Sequence, residues 1–388
     1  MYNVRVRILF VSPFYKPYLG GVERVIENLS AEFIKQRHEV TVLTTKYSFP
    51  RTYHADWSAE EIIDGVRVFR LESYPHKALP FYQAPLTWFS PLQVRQIVKT
   101  CSPDVIIYMT DKWFGGNFLV RLFADSIKGV RHIWCPVFHD LTPAKFWLRP
   151  INWLFGNLIN DVAVVSKIEA EKVKRTYGVL ASKIKIIPWG VTVPTVEPPH
   201  GAALPVVNIL CVGRISHHKG QIWLLERFIE VCQRTPVNCR LLLVGEVEEP
   251  EVYEELKTKT CHPGRRDPGS RNVIIDTRAN DEKLREYYQQ ADVFALFPEY
   301  ESFGLVFLEA MSFGVPVLTH NVGAIKEVLG EAAVIVEKYD ADVATASLLR
   351  MINDVVYRKE LGLQGQKYVA KKYSWKSAAD RFLSLISK

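Results

Sequence analysis

Two carboxylates stand eight positions apart in Glu301-Ser302-Phe303-Gly304-Leu305-Val306-Phe307-Leu308-Glu309, between the apolar runs 292–297 and 315–320. The first run reads as a strand, Glu301 falls in the turn after it, and a helix opening near Gly304 carries Glu309. That arrangement sets two acids and a helix start at one carboxyl edge of a parallel sheet, where open α/β sheets bind ligands. The N–H groups of a helix start favour anions such as phosphates. A second cluster, Gly213-Arg214-Ile215-Ser216-His217-His218-Lys219-Gly220, follows the strand-like run 208–213 at the same kind of edge. A guanidinium fork beside a point ammonium can hold a diphosphate and stabilise its charge as it departs.

The remaining candidates lie in the first half. The strand-like run 7–12 leads through a proline-bearing turn into Gly20-Gly21 and a helix. Glycines at such a turn let backbone N–H groups approach a phosphate with no Cβ in the way. On spacing alone the pair reads rather as a plain tight turn. His139-Asp140 follows the strand-like run 131–135; a histidine there can bond a sugar hydroxyl or move a proton, or be structural. Asp340-Ala341-Asp342 resembles a metal-binding DxD but precedes a helical run, so it reads as a helix cap, and no metal is expected. Neither GxGxxG nor GxxxxGK[ST] occurs, which argues against dinucleotide oxidoreductases and P-loop enzymes.

These residues require a particular scaffold. A chain of 388 residues with 48% hydrophobic and 23% charged residues is a soluble globular class too long for one core. Short Val/Ile/Leu strands alternate with helices in two sets, one before and one after the proline- and glycine-bearing stretch 193–201. The pattern predicts two doubly wound parallel-sheet domains, 1–195 and 196–373, with a deep interdomain cleft between them. The clearest helix is 22–36, whose Val22, Val25, Ile26, Leu29, Phe33 and Ile34 share one face.

No apolar run approaches a membrane span or the core of a signal peptide, so a cytoplasmic protein is expected. The six cysteines lack CxxC spacing and read as reduced thiols. Residues 1–200 hold 25 Lys and Arg against 17 Asp and Glu, whereas residues 201–388 hold 24 against 25. The basic half fits an anionic partner or an ordinary solubilising surface. No basic tract with interleaved aromatics marks a nucleic-acid module. The aromatic segment 146–155 fits either a membrane interface at the cytoplasmic face or a core helix.

With these residues in view, the chain resembles the family 4 retaining glycosyltransferases of the GT-B fold. Their E-x7-E motif is met by Glu301 and Glu309, and further matches are Gly20-Gly21-Val22-Glu23-Arg24, His38-Glu39-Val40, His139-Asp140, Val165-Ser166, Gly213-Arg214 and Lys219-Gly220. The resemblance implies that Glu309 binds ribose hydroxyls, Glu301 faces the donor sugar and the N–H groups around Ser302, Phe303, Gly304 and Leu305 meet sugar and phosphate. It implies a diphosphate clamp of Arg214, Lys219, Gly20 and Gly21, with His139 beside the reacting carbon. A nucleoside-diphosphate sugar would be the donor and a sugar, glycolipid or glycan the acceptor, with no further cofactor. The helix 374–388 would return to the first domain.

Three stretches depart from the family pattern: Pro188-Trp189-Gly190-Val191-Thr192, Asn321-Val322-Gly323-Ala324, and Asp276-Thr277-Arg278, where a glycine near the base is usual and Arg278 becomes a donor-binding candidate. Two other readings stay open: an epimerase or hydrolase acting on the same nucleotide sugar, and a membrane-docked scaffold without catalysis.

Overall fold

The structure is a computed structural model. It describes residues 5–18, 20–48, 52–75, 87–110, 113–125, 127–137, 145–194, 206–260 and 272–386. The chain divides into two compact units, Met1–Gly190 with Trp375–Lys388, and Val191–Ser374. The division falls after Gly190 rather than at residue 195, because the Val191 N–H donates to the Tyr373 carbonyl at 3.3 Å and joins the chain there to the second unit. Residues 195–205, the centre of the expected linker, lie outside the described residues.

Unit 1 contains β1 (Arg7–Val11), α1 (Gly21–Lys35), β2 (Glu39–Thr45), the short ladder β3 (Tyr47–Ser48) and β4 (Thr52–Tyr53), β5 (Glu60–Ile63), β6 (Val66–Leu71), and a second short ladder of β7 (Ser73–Pro75) and β8 (Thr87–Phe89). It continues through α2 (Pro91–Cys101), β9 (Val105–Met109), α3 (Phe114–Ala124), β10 (Arg131–Cys135), α4 (Lys145–Leu158), β11 (Asp161–Val164), α5 (Lys167–Tyr177) and β12 (Ile184–Ile186), and is completed by α13 (Trp375–Ile386). The main sheet runs β12-β11-β10-β9-β1-β2-β6-β5, and only β5 is antiparallel to its neighbour. Leu9, Phe10 and Val11 of β1 have no exposure because helices cover both faces of the sheet. On α1, Val25, Ile26, Leu29 and Phe33 are buried; α13 packs against this helix, and Gln36 donates to Asp380 at 3.0 Å.

Unit 2 is all parallel. It comprises β13 (Val207–Val212), α6 (Gln221–Arg234), β14 (Cys239–Val244), α7 (Pro250–Thr260), β15 (Val273–Asp276), α8 (Asp281–Gln290), β16 (Val293–Leu296), α9 (Leu305–Ser312), β17 (Val317–His320), α10 (Ile325–Leu329), β18 (Val334–Val336), α11 (Ala341–Asn353) and α12 (Val355–Lys372). Its order is β15-β14-β13-β16-β17-β18. The first strand therefore sits in the middle, and the chain winds outward from it twice. The switch point lies between β13 and β16, and the loops leaving those two strands flank the crevice that this topology opens. Asp340 accepts the Val343 N–H at 3.1 Å and caps α11, so the Asp-Ala-Asp triplet is a helix start.

Among the described residues no helix is long and apolar enough to cross a membrane. Cys101, Cys135, Cys211, Cys232 and Cys239 are free thiols.

Gly362 shows how closely the outer helices dock in unit 2. A Cβ there would lie 2.0 Å from the Gly314 carbonyl oxygen, whereas at Gly365 the nearest atom is the flexible Met311 side chain at 3.3 Å. Gly362→Ala is expected to destabilise by about 1–3 kcal/mol through overpacking. Gly365→Ala is expected to be neutral or mildly stabilising, since alanine favours a helix by about 0.5–1 kcal/mol over glycine. Thermal unfolding of both variants checks this, and equal effects would contradict the packing account.

Candidate active site

The two loops at the switch point of unit 2 are locked to each other through backbone. After β13, residues 213–220 make a short turn in which the Lys219 N–H donates to the Ser216 carbonyl at 3.1 Å and ends at Gly220. Gly220 has φ +71°, and a Cβ there would lie 2.1 Å from the Phe297 carbonyl oxygen, so only glycine lets the β13 loop lie against the β16 loop. The Glu299 N–H then donates to the His218 carbonyl at 2.8 Å. These contacts bring Lys219 Nζ to 2.9 Å from Glu301 Oε2, with both side chains largely shielded.

Two further loops fix the pair. The turn after β17 closes over Glu301: the Ala324 N–H donates to its carbonyl at 3.0 Å, and a Cβ at Gly323 (φ +54°) would lie 2.0 Å from the same oxygen. The segment after β14 is strapped to Ile215, which donates its N–H to the Glu246 carbonyl at 2.8 Å and accepts from the Glu248 and Glu249 N–H groups, both at 3.1 Å. That strap sets the shielded Glu248 carboxylate 2.6 Å from Arg214 Nη1. The part-exposed Arg214 guanidinium is thus oriented from behind by a fixed acid.

The helix start follows at once. Gly304, at φ +79°, precedes α9, and Glu309 is its fifth residue, with Tyr288 donating its hydroxyl to Glu309 Oε2 at 2.9 Å. Ser302 and Phe303 are buried, and the Phe303 ring packs edge-on against Tyr373 at 5.7 Å. Leu305 is half-buried. Phe303 can therefore serve a ligand through its backbone only.

Electrostatics in the cluster favour a neutral imidazole. Burial, then the Lys219 and Arg214 cations, push the His218 pKa down to about 4, against a smaller opposing pull from Glu301. Its Nδ1 lies 3.0 Å from Ser216 Oγ.

The other predicted residues have different settings. Arg278 follows β15, two strands beyond β13; it is exposed, and its N–H donates to Asp276 Oδ1 at 2.9 Å. In unit 1, Gly20 caps α1 and its N–H donates to Glu23 Oε2 at 3.0 Å. The Gly20 N–H is thus met by a carboxylate of its own helix. Space beyond the Gly21 Cα is open, with nothing within 4 Å of an added Cβ. His139 lies outside the described residues, so its role rests on the resemblance alone. Among the described residues no group of three or more His, Cys, Asp or Glu side chains could hold a metal ion.

Comparison with known proteins decides the family. The Glycosyltransferase Family 4 model matches residues 19–193, and the Glycosyl transferases group 1 model matches residues 206–354. The chain belongs to the family 4 glycosyltransferases. A GDP-mannose-dependent alpha-(1-6)-phosphatidylinositol monomannoside mannosyltransferase of Mycolicibacterium smegmatis is 24% identical, over 98% of each chain. Among solved structures, sucrose-phosphate synthase from Thermosynechococcus elongatus superposes with a TM-score of 0.75 at 20% identity over 98% of both chains. Anabaena HepE in complex with UDP and glucose gives 0.70 at 17% identity, over 99% of this chain and 100% of that one. These likenesses assign the GT-B fold to this family 4 glycosyltransferase.

His218 makes stability pH-dependent. Its folded-state pKa of about 4 lies below the ordinary 6.5, so protons bind the unfolded chain preferentially. Its contribution is complete above pH 6.5 and is lost progressively as pH falls toward 4. His320, lowered to about 4 chiefly by burial, acts the same way. The melting temperature is expected to fall across that window and to fall less steeply in His218→Gln; an unchanged slope in the variant would contradict a neutral, half-buried imidazole.

Proposed function

We propose that this glycosyltransferase moves a hexose from a nucleoside-diphosphate sugar to an acceptor hydroxyl with retention of anomeric configuration and without a metal ion. The observation that carries the reading is the cation pair at the switch point: Arg214 and Lys219, each held at a defined place by a carboxylate, Glu248 and Glu301, at 2.6 and 2.9 Å. A diphosphate bound there would share Lys219 with Glu301 and meet the part-exposed Arg214. Their positive charge supplies what a bound metal supplies elsewhere, stabilisation of the oxygen on which charge develops.

In this reading the bond between the anomeric carbon and the diphosphate oxygen breaks and its electron pair leaves with the diphosphate. The acceptor oxygen bonds to the carbon from the same face, and the acceptor proton passes to a diphosphate oxygen. Glu301 faces the sugar and shields Lys219. Glu309, steadied by Tyr288, takes the ribose hydroxyls. Unit 2 holds the donor and unit 1 supplies the acceptor, a sugar, glycolipid or glycan. HepE binds UDP and the M. smegmatis relative depends on GDP-mannose, which supports a nucleoside diphosphate without choosing the base.

Transfer and donor-hydrolysis assays on Arg214→Ala and Glu309→Ala, after a thermal-shift panel of UDP-, GDP- and ADP-sugars has selected the donor, test the assignment. Loss of one charge-stabilising donor is expected to cost about 10²–10³-fold in turnover. Arg214→Ala should lower kcat, and Glu309→Ala should mainly raise the donor KM. Undiminished kcat/KM in both variants would remove the proposed site, and accumulation of an epimer from donor alone would replace transfer by epimerisation.

A further inference from the structure

Helix α4 turns an apolar face outward. Asn152, Phe155 and Ile159 on one side are buried in unit 1, while Ile151, Leu154 and Leu158, at spacings of three and four, are 39%, 45% and 45% exposed. Neighbouring elements extend this stripe. The Arg121 guanidinium of α3 donates to the Leu158 carbonyl at 3.2 and 3.3 Å, and the next residue of that helix, Leu122, is 62% exposed. Trp153, 52% exposed, lies against Gly178, where a Cβ would come within 2.9 Å of its ring, and Leu180, 57% exposed, follows two residues later. A surface helix ordinarily presents polar residues to water, and a contiguous apolar patch of this kind marks an interaction surface.

The charge around the patch names the partner. Residues 141–160 contain Lys145 and Arg149 and no acid. Lys183 donates from the adjoining turn to the Asn157 and Ile159 carbonyls at 2.7 and 2.8 Å, and Lys185 follows it. Arg121 is offset by its pairing with Asp125, so the excess positive charge comes from Arg149, Lys183 and Lys185. We propose that this face of unit 1 docks on the surface of a bilayer bearing anionic lipid headgroups, with the leucine stripe and Trp153 entering the interface and the basic residues meeting the headgroups. An indole at the border of an apolar face suits such an interface, and apolar area combined with electrostatic attraction sets the strength of binding. Self-association through the same face would bring its lysines and arginines against their own copies, with no acid on the helix to offset them. The inference does not depend on the transfer reaction.

Co-sedimentation of the full chain with sucrose-loaded vesicles tests it. The wild type is expected to pellet with phosphatidylcholine–phosphatidylglycerol vesicles, less at high salt, and to stay in the supernatant with phosphatidylcholine alone. The triple variant Ile151→Gln/Leu154→Gln/Leu158→Gln, checked for an unchanged melting temperature, should lose at least tenfold in binding. Arg149→Gln/Lys185→Gln should lose binding while retaining the apolar stripe, which keeps the proposal testable if the triple variant fails to fold. Wild type that ignores anionic vesicles, variants that bind as it does, or a dimer that the triple substitution converts to monomer would each overturn the proposal.

Discussion

Lys219 reaches Glu301 across the switch point of unit 2, and the surrounding loops are built around that contact. The distance depends on backbone: the β13 loop can touch the β16 loop only because residue 220 lacks a Cβ, and the β17 turn can close on the Glu301 carbonyl only because residue 323 lacks one. A largely shielded ion pair is expensive to assemble and costly to break from one side, by about 3–5 kcal/mol when a single partner is removed. Fixing its carrier loops with main-chain hydrogen bonds keeps the charges preorganised, so little reorganisation remains when an anion arrives. Arg214 follows the same logic, with the acid on a strapped segment behind it.

The alternation of sign across this edge gives it a particular chemistry. Arg214, Glu248, Lys219 and Glu301 balance one another, and the imidazole among them stays neutral. A site of this kind holds cations close together without their mutual repulsion forcing them apart. It suits a ligand that brings several negative oxygens and departs carrying more charge than it arrived with. The fold places it where the strand order reverses, and α9 adds its N-terminus at the same edge.

Much of this was legible before any coordinates. Continuous Val/Ile/Leu runs such as 208–213 and 240–245 can be buried on both faces only in a parallel sheet, and each proved to be a strand within one residue at either end. Arg214, Lys219, Glu301 and Glu309 were readable because each follows a strand and so falls at a carboxyl edge. Glu248 was not, since nothing in Glu246-Val247-Glu248-Glu249 separates an inward acid from its solvated neighbours until the strap to Ile215 is seen. Gly323 stands in a stretch that departs from the family pattern, yet it is the residue on which the turn depends. The antiparallel strand β5 was also passed over, although Asp64-Gly65, at φ +50° and +80°, is the two-residue hairpin signal. The bond from Gly20 to the capping acid three residues on, Glu23, follows a spacing that is itself visible in the sequence.

The most direct test of the central claim is calorimetric. Titrating UDP and UMP, and GDP and GMP, into the wild type and into Lys219→Met measures how much of the affinity comes from the second phosphate, independently of any acceptor. The account predicts that the wild type prefers the diphosphate of its cognate base by at least tenfold and that the preference shrinks severalfold in the variant. A diphosphate preference that survives intact in Lys219→Met would contradict it.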